Sequence, residues 1–199
     1  MAIKREDIKI ACICLSNQNR SMEAHAQMLR RGMKRVWSYG TGYHVKLPGM
    51  SIDQPNVYSF GTPYAAIAAD LERKNKDFYS QIGLLDLVRR NAKIKTAPEQ
   101  FQQLEIVDFD LIFTFEERVY EQVILQLETK PPVAMKQCHI INVETRDDAT
   151  EAVKGGEFAA LMAEAMLRSN DLDDEIYQII SSFQQRPAAP FLLHHISFV

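Results

Sequence analysis

The composition of this chain is that of an ordinary globular protein. Of its 199 residues, 46% are hydrophobic and 25% are charged, and the formal net charge is −3. A chain of this length can bury a full core, so we predict a single domain spanning residues 1–199. The slightly acidic balance, with dispersed lysines and arginines, argues against direct nucleic-acid binding.

The sequence predicts neither a membrane span nor a secretory leader. No apolar run approaches the ~18 residues that a membrane-crossing helix needs, and the first residues lack the pattern of a signal peptide. The cysteines, Cys12, Cys14 and Cys138, do not form a secreted disulfide framework. We therefore expect a reducing intracellular compartment, which a catalytic thiolate also needs.

The first predicted strand leads into a loop that can hold a phosphate. After an alternating apolar run at 8–14 come Cys14, five further residues, Arg20 and Ser21, and then a predicted helix over 21–30. A strand-to-helix turn of this size can direct its backbone N–H groups at one dianion, placed at the N-terminus of the helix. The spacing therefore predicts a phosphate site.

The side chains of this loop suit phosphoryl transfer. The planar fork of Arg20 matches two phosphate oxygens. Cys14 would lie below the phosphorus, and the positive field of the loop favours its thiolate form. Ser21 can donate a hydrogen bond to that thiolate, and Asn17 suits a loop position with positive φ. The alternative is a reduced structural cysteine at a strand end, with Arg20 on a solvated helix start.

Cys12 lies two residues before Cys14 on the same strand, so both side chains point to one face. Two interpretations stay open: a reversible disulfide that protects Cys14 from oxidation, or a small buried strand residue. The second is favoured, because neighbouring same-face residues of one strand form a strained bridge.

Strands and helices alternate along the rest of the chain. A strand at 35–39 completes a parallel βαβ unit, and short β-prone runs around Pro48-Gly49 predict a hairpin flap at 43–60. Lys46 in this flap either adds charge near a bound phosphate or is one more solvated lysine. The pattern then predicts helices at 63–74, 77–90, 116–128, 149–168 and 171–185, a loop at 91–103, and strands at 110–115, 139–143 and 191–199. The fold class that follows is α/β.

Acidic pairs begin two of these helices. Glu116 and Glu117 open the helix at 116–128, and we interpret them as charges that complement the helix dipole rather than as catalytic groups. Asp147 and Asp148 follow the strand at 139–143, and sites in open α/β sheets lie outside the carboxyl ends of the strands. Either aspartate could protonate a leaving alkoxide and later activate water, or both could simply cap the helix.

The sequence predicts no metal centre and no cofactor. His194 and His195 are adjacent on a predicted strand, so their side chains face opposite ways. No cluster of Cys, His or Asp completes a ligand set around them.

Several strings of this sequence resemble one enzyme family. The string CLSNQNRS at 14–21 resembles the phosphate loop of low-molecular-weight protein tyrosine phosphatases. More particular are SNQNRSMEAH at 16–25, GTGYHVKLPG at 40–49, PNVY at 55–58 and EERVYEQV at 116–123. Together with FLLHHISFV at the end, they make the whole chain resemble the Ssu family of RNA polymerase II C-terminal-domain phosphatases.

This resemblance implies a three-layer, low-molecular-weight-phosphatase-like fold, with a central parallel sheet flanked by helices and an inserted hairpin flap. It implies hydrolysis of the phosphoserine at the fifth position of the polymerase heptads, through a phosphocysteine, with a cis peptide bond before the following proline. Cys14 would be the nucleophile, Arg20 the phosphate clamp and Asp147 the general acid. The residues expected to bind substrate are Leu15, Ser16, Asn17, Gln18, Asn19, Ser21, Lys46, Leu47 and Pro48.

The resemblance also implies partners and a place in the cell. The phosphorylated C-terminal-domain peptide would be the substrate, and a symplekin-like scaffold would hold the enzyme in transcription and pre-mRNA 3′-end processing. No contact with membrane is expected. The nucleus is the expected location, with the cytoplasm as an additional one.

The chain departs from this family at a few positions. Glu144 stands where the family commonly has Asp, Asp148 follows the expected acid where tyrosine-specific relatives have proline, and Leu15 replaces a small residue. Such changes are typical of a divergent member or paralogue. Two other functions stay open: a docking module that binds the symplekin scaffold with little turnover, and an arsenate reductase, for which Cys12 or Cys138 would have to be the resolving cysteine.

Overall fold

A five-stranded sheet between two layers of helices forms the centre of the fold. The computed structural model describes residues 7–129, 131–132 and 135–199. The strands are β1 (Ile10–Cys14), β2 (Val36–Gly40), β3 (Val45–Leu47), β4 (Asn56–Tyr58), β5 (Leu111–Thr114), β6 (Gln137–Val143) and β7 (Leu192–Phe198). The helices are α1 (Arg20–Arg30), α2 (Tyr64–Gln81), α3 (Leu84–Ile94), α4 (Glu117–Glu128), α5 (Ala149–Arg168) and α6 (Leu172–Gln184).

The order of strands in the main sheet is β2-β1-β5-β6-β7. β1 pairs in parallel with β2 and β5, and β5 pairs in parallel with β6, whereas β7 is antiparallel to β6. Every residue of β1 and β5 is buried, because helices cover both faces of the sheet. The predicted fold class, an α/β protein with a central parallel sheet flanked by helices, is confirmed, except that β7 is antiparallel to its neighbour.

Two cores fill the space between the sheet and its helices. One face packs against α1, α5 and α6 through Met28, Phe113, Met162 and Phe183, among others. Fully burying such a side chain stabilises the fold by roughly 1.5–3 kcal/mol. Cys12 belongs to this core, with its Sγ 3.7 Å from the sulfur of Met28. Its thiol is free and burial raises its pKa, which agrees with a small buried strand residue.

The other core lies on the face covered by α4. Its buried residues include Ile13, Ile112, Val123 and Ile140. Because β1, β5 and β6 are parallel and buried on both faces, their carboxyl ends meet at one edge of the sheet. The loops that follow these three strands therefore lie close together there.

The helix predicted over 77–90 is divided in two, because residues 77–81 and 84–90 are helical as predicted but Ile82 and Gly83 separate them. Helix α2 continues to Gln81 through a kink at Asn75, and α3 begins only at Leu84. Between them Gly83 has a φ of 73°, a left-handed conformation that glycine adopts without a steric cost. The two helices pack against each other in a third core.

The predicted loop at 91–103 is shorter than expected. Helix α3 runs on to Ile94, and a 3₁₀ turn occupies Phe101–Gln103. Tertiary contacts of Asn91, which is fully buried, keep this polar end of α3 helical.

The predicted flap is confirmed as a hairpin, because β3 and β4 pair antiparallel. The Asn56 amide nitrogen donates to the Pro48 carbonyl at 2.8 Å and so closes the hairpin. The Lys46 backbone N–H donates to Ser16 Oγ at 3.3 Å. This contact places the flap beside the loop after β1.

None of the helices in the described part of the chain combines the length and the apolar character needed to cross a membrane.

Candidate active site

The loop from Cys14 to Arg20 joins the end of β1 to the start of α1. Asn17 at its centre has a φ of 51°, as its residue type predicted. The Asn17 amide donates to Ser21 Oγ at 3.1 Å, and its oxygen accepts from the Glu99 N–H at 3.0 Å. Asn17 therefore holds the loop in shape from within.

Five backbone carbonyl groups of this loop accept hydrogen bonds from other residues. The Cys14 carbonyl accepts from the Thr41 N–H at 3.0 Å, the Leu15 carbonyl from the Gly42 N–H at 2.8 Å and the Asn19 carbonyl from the Glu23 N–H at 2.8 Å. Side chains bond the other two: the Tyr64 hydroxyl donates to the Asn17 carbonyl at 2.6 Å, and the Asn91 amide donates to the Gln18 carbonyl at 2.7 Å. Within the described ranges, the N–H groups from Leu15 to Arg20 have no protein acceptor. They are free to bind an anion at the N-terminus of α1.

Gly40 allows the end of β2 to approach this loop. A Cβ at Gly40 would lie 2.7 Å from the Leu15 carbonyl oxygen, well inside van der Waals contact. Only glycine fits at this position without moving the loop.

Cys14 lies at the base of the loop and is 3% exposed. Its Sγ is 3.0 Å from Ser21 Oγ. Because the Ser21 oxygen already accepts from the Asn17 amide, its own proton is free to point at the sulfur. The sulfur therefore has a hydroxyl donor beside it, and the loop that carries it leads into the N-terminus of α1.

The Arg20 side chain is buried and held by several acceptors. One terminal nitrogen donates to the Thr145 carbonyl at 3.0 Å and to the Phe115 carbonyl at 3.3 Å, and the other donates to Glu116 Oε2 at 2.6 Å. Burial tends to lower the pKa of Arg20, but the interactions with Cys14, Asp147 and Glu116 together raise it above its ordinary value. The guanidinium is therefore a permanent cation beside Cys14.

The role of Glu116 differs from the prediction, in which it only complements the dipole of the helix at 116–128. Glu116 does precede α4, but its carboxylate also forms the short ion pair with Arg20. The signal was its place just after β5, which neighbours β1 in the sheet. Parallel neighbours bring the residues at their carboxyl ends together.

The structure distinguishes between the two neighbouring aspartates. Asp148 Oδ1 accepts from the Glu151 N–H at 2.9 Å and caps α5. Asp147 Oδ1 instead accepts from the Asn19 amide at 3.1 Å and lies 3.4 Å from Arg20 Nε. With 60% of its side chain exposed, Asp147 faces both the loop and solvent.

A cleft of about 390 Å³ opens above Cys14. Of the residues expected to bind substrate, those that line it are Ser16, Gln18, Asn19, Lys46, Leu47 and Pro48. Cys14 and Asp147 line it as well, and Leu84 and Leu87 of α3 add an apolar wall. The remaining three are placed elsewhere: Asn17 and Ser21 are buried within the loop, and Leu15 packs against the core on the α4 side.

Two further residues support the loop but are not predicted from the sequence, Tyr64 on α2 and Asn91 on α3. For Asn91 a signal existed, because it lies on the same helical face as Leu84 and Val88, where an apolar residue is expected. For Tyr64 the sequence contains no such signal, since a tyrosine in a helical pattern usually indicates packing in the core alone.

The histidines flagged on the last strand face opposite ways, as predicted. His194 Nε2 lies 3.2 Å from His139 Nδ1 on β6, whereas His195 Nε2 lies 3.9 Å from Glu128 Oε1 on α4. Among the described residues, no group of three or more His, Cys, Asp or Glu side chains could hold a metal ion.

Comparison with known sequences identifies close relatives of this chain. The family described as "Ssu72-like protein" matches residues 8–199. The RNA polymerase II C-terminal-domain phosphatase named SSU72 from Danio rerio is 40% identical over 191 residues, covering 96% of this chain and 97% of the relative. Its Gallus gallus counterpart is 42% identical with the same coverage.

Solved structures show the same similarity. The serine phosphatase of the RNA polymerase II CTD from Drosophila melanogaster superposes with a TM-score of 0.92 at 44% identity, covering 96% of this chain and 100% of that one. D. melanogaster Ssu72 with symplekin gives a TM-score of 0.91 at 42% identity, with coverage of 96% and 98%. That complex holds a cis peptidomimetic of the CTD, phosphorylated at the fifth-position serine. The predicted family resemblance is confirmed.

Proposed function

Since the chain belongs to the Ssu72-like protein family, we propose that it is a cysteine-dependent protein phosphatase acting on the fifth-position serine of RNA polymerase II heptads. The observation that carries the chemistry is the loop itself. Its N–H groups from Leu15 to Arg20 have no protein acceptor among the described residues, Cys14 lies at its base, and Arg20 lies 3.4 Å from Asp147. The substrate is that named for the relatives, one of which was solved with a CTD peptide phosphorylated at the fifth position.

In the first step the phosphoserine dianion binds to the loop N–H groups and to Arg20. The Cys14 thiolate attacks phosphorus in line, so that an S–P bond forms as the bond from phosphorus to the serine oxygen breaks. Serine alkoxide is a poor leaving group, and Asp147 in its acid form gives it a proton. Asn19 and Arg20 hold the Asp147 carboxyl group in place for this transfer.

In the second step the Asp147 carboxylate takes a proton from water, and the water oxygen attacks the phosphocysteine. The S–P bond breaks, inorganic phosphate leaves, and the Cys14 thiolate is restored. Ser21 stabilises that thiolate through its hydroxyl, which lies 3.0 Å from the sulfur.

The cleft beside Cys14 supplies the peptide contacts. Leu47 and Pro48 of the flap and Leu84 and Leu87 of α3 line the same cleft. An apolar slot of this kind suits the proline that follows the phosphoserine in the heptad, in the cis form that the Drosophila relative binds as a peptidomimetic. Lys46 at the same rim adds a positive charge for the phosphate.

The partner and location follow from the relatives. The Drosophila structure contains symplekin, and we propose that this chain docks on a symplekin-like scaffold. We propose that it works in the nucleus, in transcription and pre-mRNA 3′-end processing, because the proposed substrate is RNA polymerase II.

The structure disfavours the arsenate reductase alternative. That reaction needs an accessible resolving thiol, and both Cys12 and Cys138 are fully buried, which raises the pKa of each thiol. They also belong to the cores on opposite faces of the sheet. The other alternative, a docking module without turnover, is tested by measuring phosphatase activity.

The direct test is phosphate release from heptad peptides phosphorylated at one serine each. We expect release from the peptide phosphorylated at the fifth position, and much slower release from those phosphorylated at other positions. Symplekin-like scaffold binding measured alongside separates the alternatives. Normal scaffold binding with no release from any peptide would support the docking module and contradict the phosphatase.

Removing the carboxylate that holds Arg20 should impair catalysis. For Glu116→Ala we expect kcat/KM on the fifth-position peptide to fall by roughly 10- to 100-fold, because Arg20 loses its short ion pair and its orientation. The control is Glu117→Ala, an exposed neighbour in the same helix turn. Equal activity of the two variants would show that Glu116 serves only the helix start.

A further inference from the structure

Two carbonyl groups in the middle of the loop are bonded by side chains rather than by backbone. The Tyr64 hydroxyl donates to the Asn17 carbonyl at 2.6 Å, and the Asn91 amide donates to the Gln18 carbonyl at 2.7 Å. Both side chains belong to residues that are fully buried. The Cys14 and Leu15 carbonyl groups, by contrast, accept from the backbone N–H groups of Thr41 and Gly42, just after β2.

The planarity of the peptide group gives these bonds a consequence. In a trans peptide the C=O of one residue and the N–H of the next point in opposite directions. A donor that fixes the Asn17 carbonyl therefore turns the Gln18 N–H toward the front of the loop. Fixing the Gln18 carbonyl does the same for the Asn19 N–H.

The donors are themselves held in the orientation that this requires. Burial is the main cause that raises the pKa of Tyr64, and the nearby Cys14 raises it further, so the Tyr64 hydroxyl keeps its proton. The Asn91 oxygen accepts from Arg90 at 2.9 Å, and Arg90 also pairs with Glu23 on α1. Because its oxygen is occupied in this way, the nitrogen of the Asn91 amide faces the loop.

We propose that Tyr64 and Asn91 are positioning residues, which aim the Gln18 and Asn19 N–H groups at the oxygens of the transferring phosphoryl group. This inference rests on the proposed phosphatase function. Neither side chain touches the substrate. Each acts through the loop backbone, and donors that are oriented before reaction stabilise a transition state without reorganising.

The test uses Tyr64→Phe, which removes a single oxygen, and Asn91→Ala. The matched control is Asn142→Ala, because Asn142 is equally buried and its amide bonds Thr114 and Glu144 instead of the loop carbonyls. Steady-state kinetics on the fifth-position peptide give kcat and KM. Calorimetry with orthovanadate, an oxyanion that the loop can bind without turnover, gives a dissociation constant, and the melting temperature reports folding.

We expect kcat to fall by roughly 10- to 100-fold in Tyr64→Phe and in Asn91→Ala, as for other small displacements of catalytic groups. The vanadate affinity should weaken by a similar factor, while Asn142→Ala changes neither quantity. Folded variants with normal kcat and normal vanadate affinity would overturn the proposal. So would a rise in KM alone, which would place the effect in the peptide cleft.

Failure of the inference can be told from failure of the function. If the wild-type protein releases phosphate but the two variants match the control, the inference is wrong and the phosphatase stands. If the wild-type protein releases none, its vanadate affinity and that of the variants still test the role of Tyr64 and Asn91. If Asn91→Ala does not fold, Tyr64→Phe alone decides.

Discussion

Replacement of Cys14 by serine is expected to abolish phosphate release, lowering kcat by about 10⁴-fold or more. The loop can stabilise a thiolate through Ser21 and the N-terminus of α1. A serine hydroxyl in the same place stays protonated near neutral pH and is a far weaker nucleophile. The measurement is phosphate release from the fifth-position phosphopeptide under saturating substrate.

The matched control for this variant is Cys12→Ala. Cys12 lies on the same strand and the same face, but its side chain contacts Met28 in the core. The Cys12→Ala variant should keep the phosphatase activity of the wild-type protein, with at most a loss of stability. Because the loop N–H groups and Arg20 are unchanged, Cys14→Ser should still bind the phosphopeptide. Near-normal turnover by Cys14→Ser would refute a phosphocysteine intermediate.

Replacement of Asp147 by asparagine is expected to lower kcat on the phosphoserine peptide by roughly 10²- to 10³-fold, within the range of general acid–base catalysis. Asparagine preserves the size of the side chain but cannot donate the proton that the serine alkoxide needs. A small aryl phosphate such as p-nitrophenyl phosphate provides the comparison, because its phenolate leaves without protonation. In kcat/KM, which reports only the steps up to departure of the leaving group, the loss on that substrate should be much smaller than the loss on the peptide, whereas kcat also includes the hydrolysis of the phosphocysteine that Asp147 assists with either substrate.

Asp148→Asn is the control, since asparagine caps a helix about as well as aspartate does. It should leave both kcat and stability close to those of the wild-type protein. A larger loss in Asp148→Asn than in Asp147→Asn would reverse the assignment of the acid. Equal losses of kcat/KM in Asp147→Asn on the two substrates would show that Asp147 does not act by protonating the leaving group.

Much of the candidate site could be predicted because its central part is local in sequence. Cys14, Asn17, Arg20 and Ser21 lie within eight consecutive positions, and a strand followed by a helix fixes their relative placement. The structure accordingly has Asn17 at positive φ and Ser21 beside the sulfur. The flap was equally accessible, since β-prone runs around Pro48-Gly49 indicate a hairpin without any knowledge of the rest of the fold.

The error over 77–90 has a different origin. The apolar spacing continued across Gly83, so periodicity alone did not reveal the break. A glycine within a helical pattern is tolerated in many proteins, and only packing of α3 against α2 selects the left-handed φ that separates them. The polar end of α3 was missed for a similar reason, because the bonds of Asn91 come from elements distant in sequence.

By itself the sequence determined the α/β class, the phosphate loop and the family, because these depend on spacing within short segments and on strings of residues. The tertiary structure showed that Asp148 caps α5 while Asp147 contacts the loop, which spacing had left open, and that Glu116, Tyr64 and Asn91 support the loop. Asp147 is 128 positions from Asn19, and Asn91 is 73 positions from Gln18. Contacts of that range depend on which strands are neighbours in the sheet and on how helices pack over its edge, which no local pattern encodes.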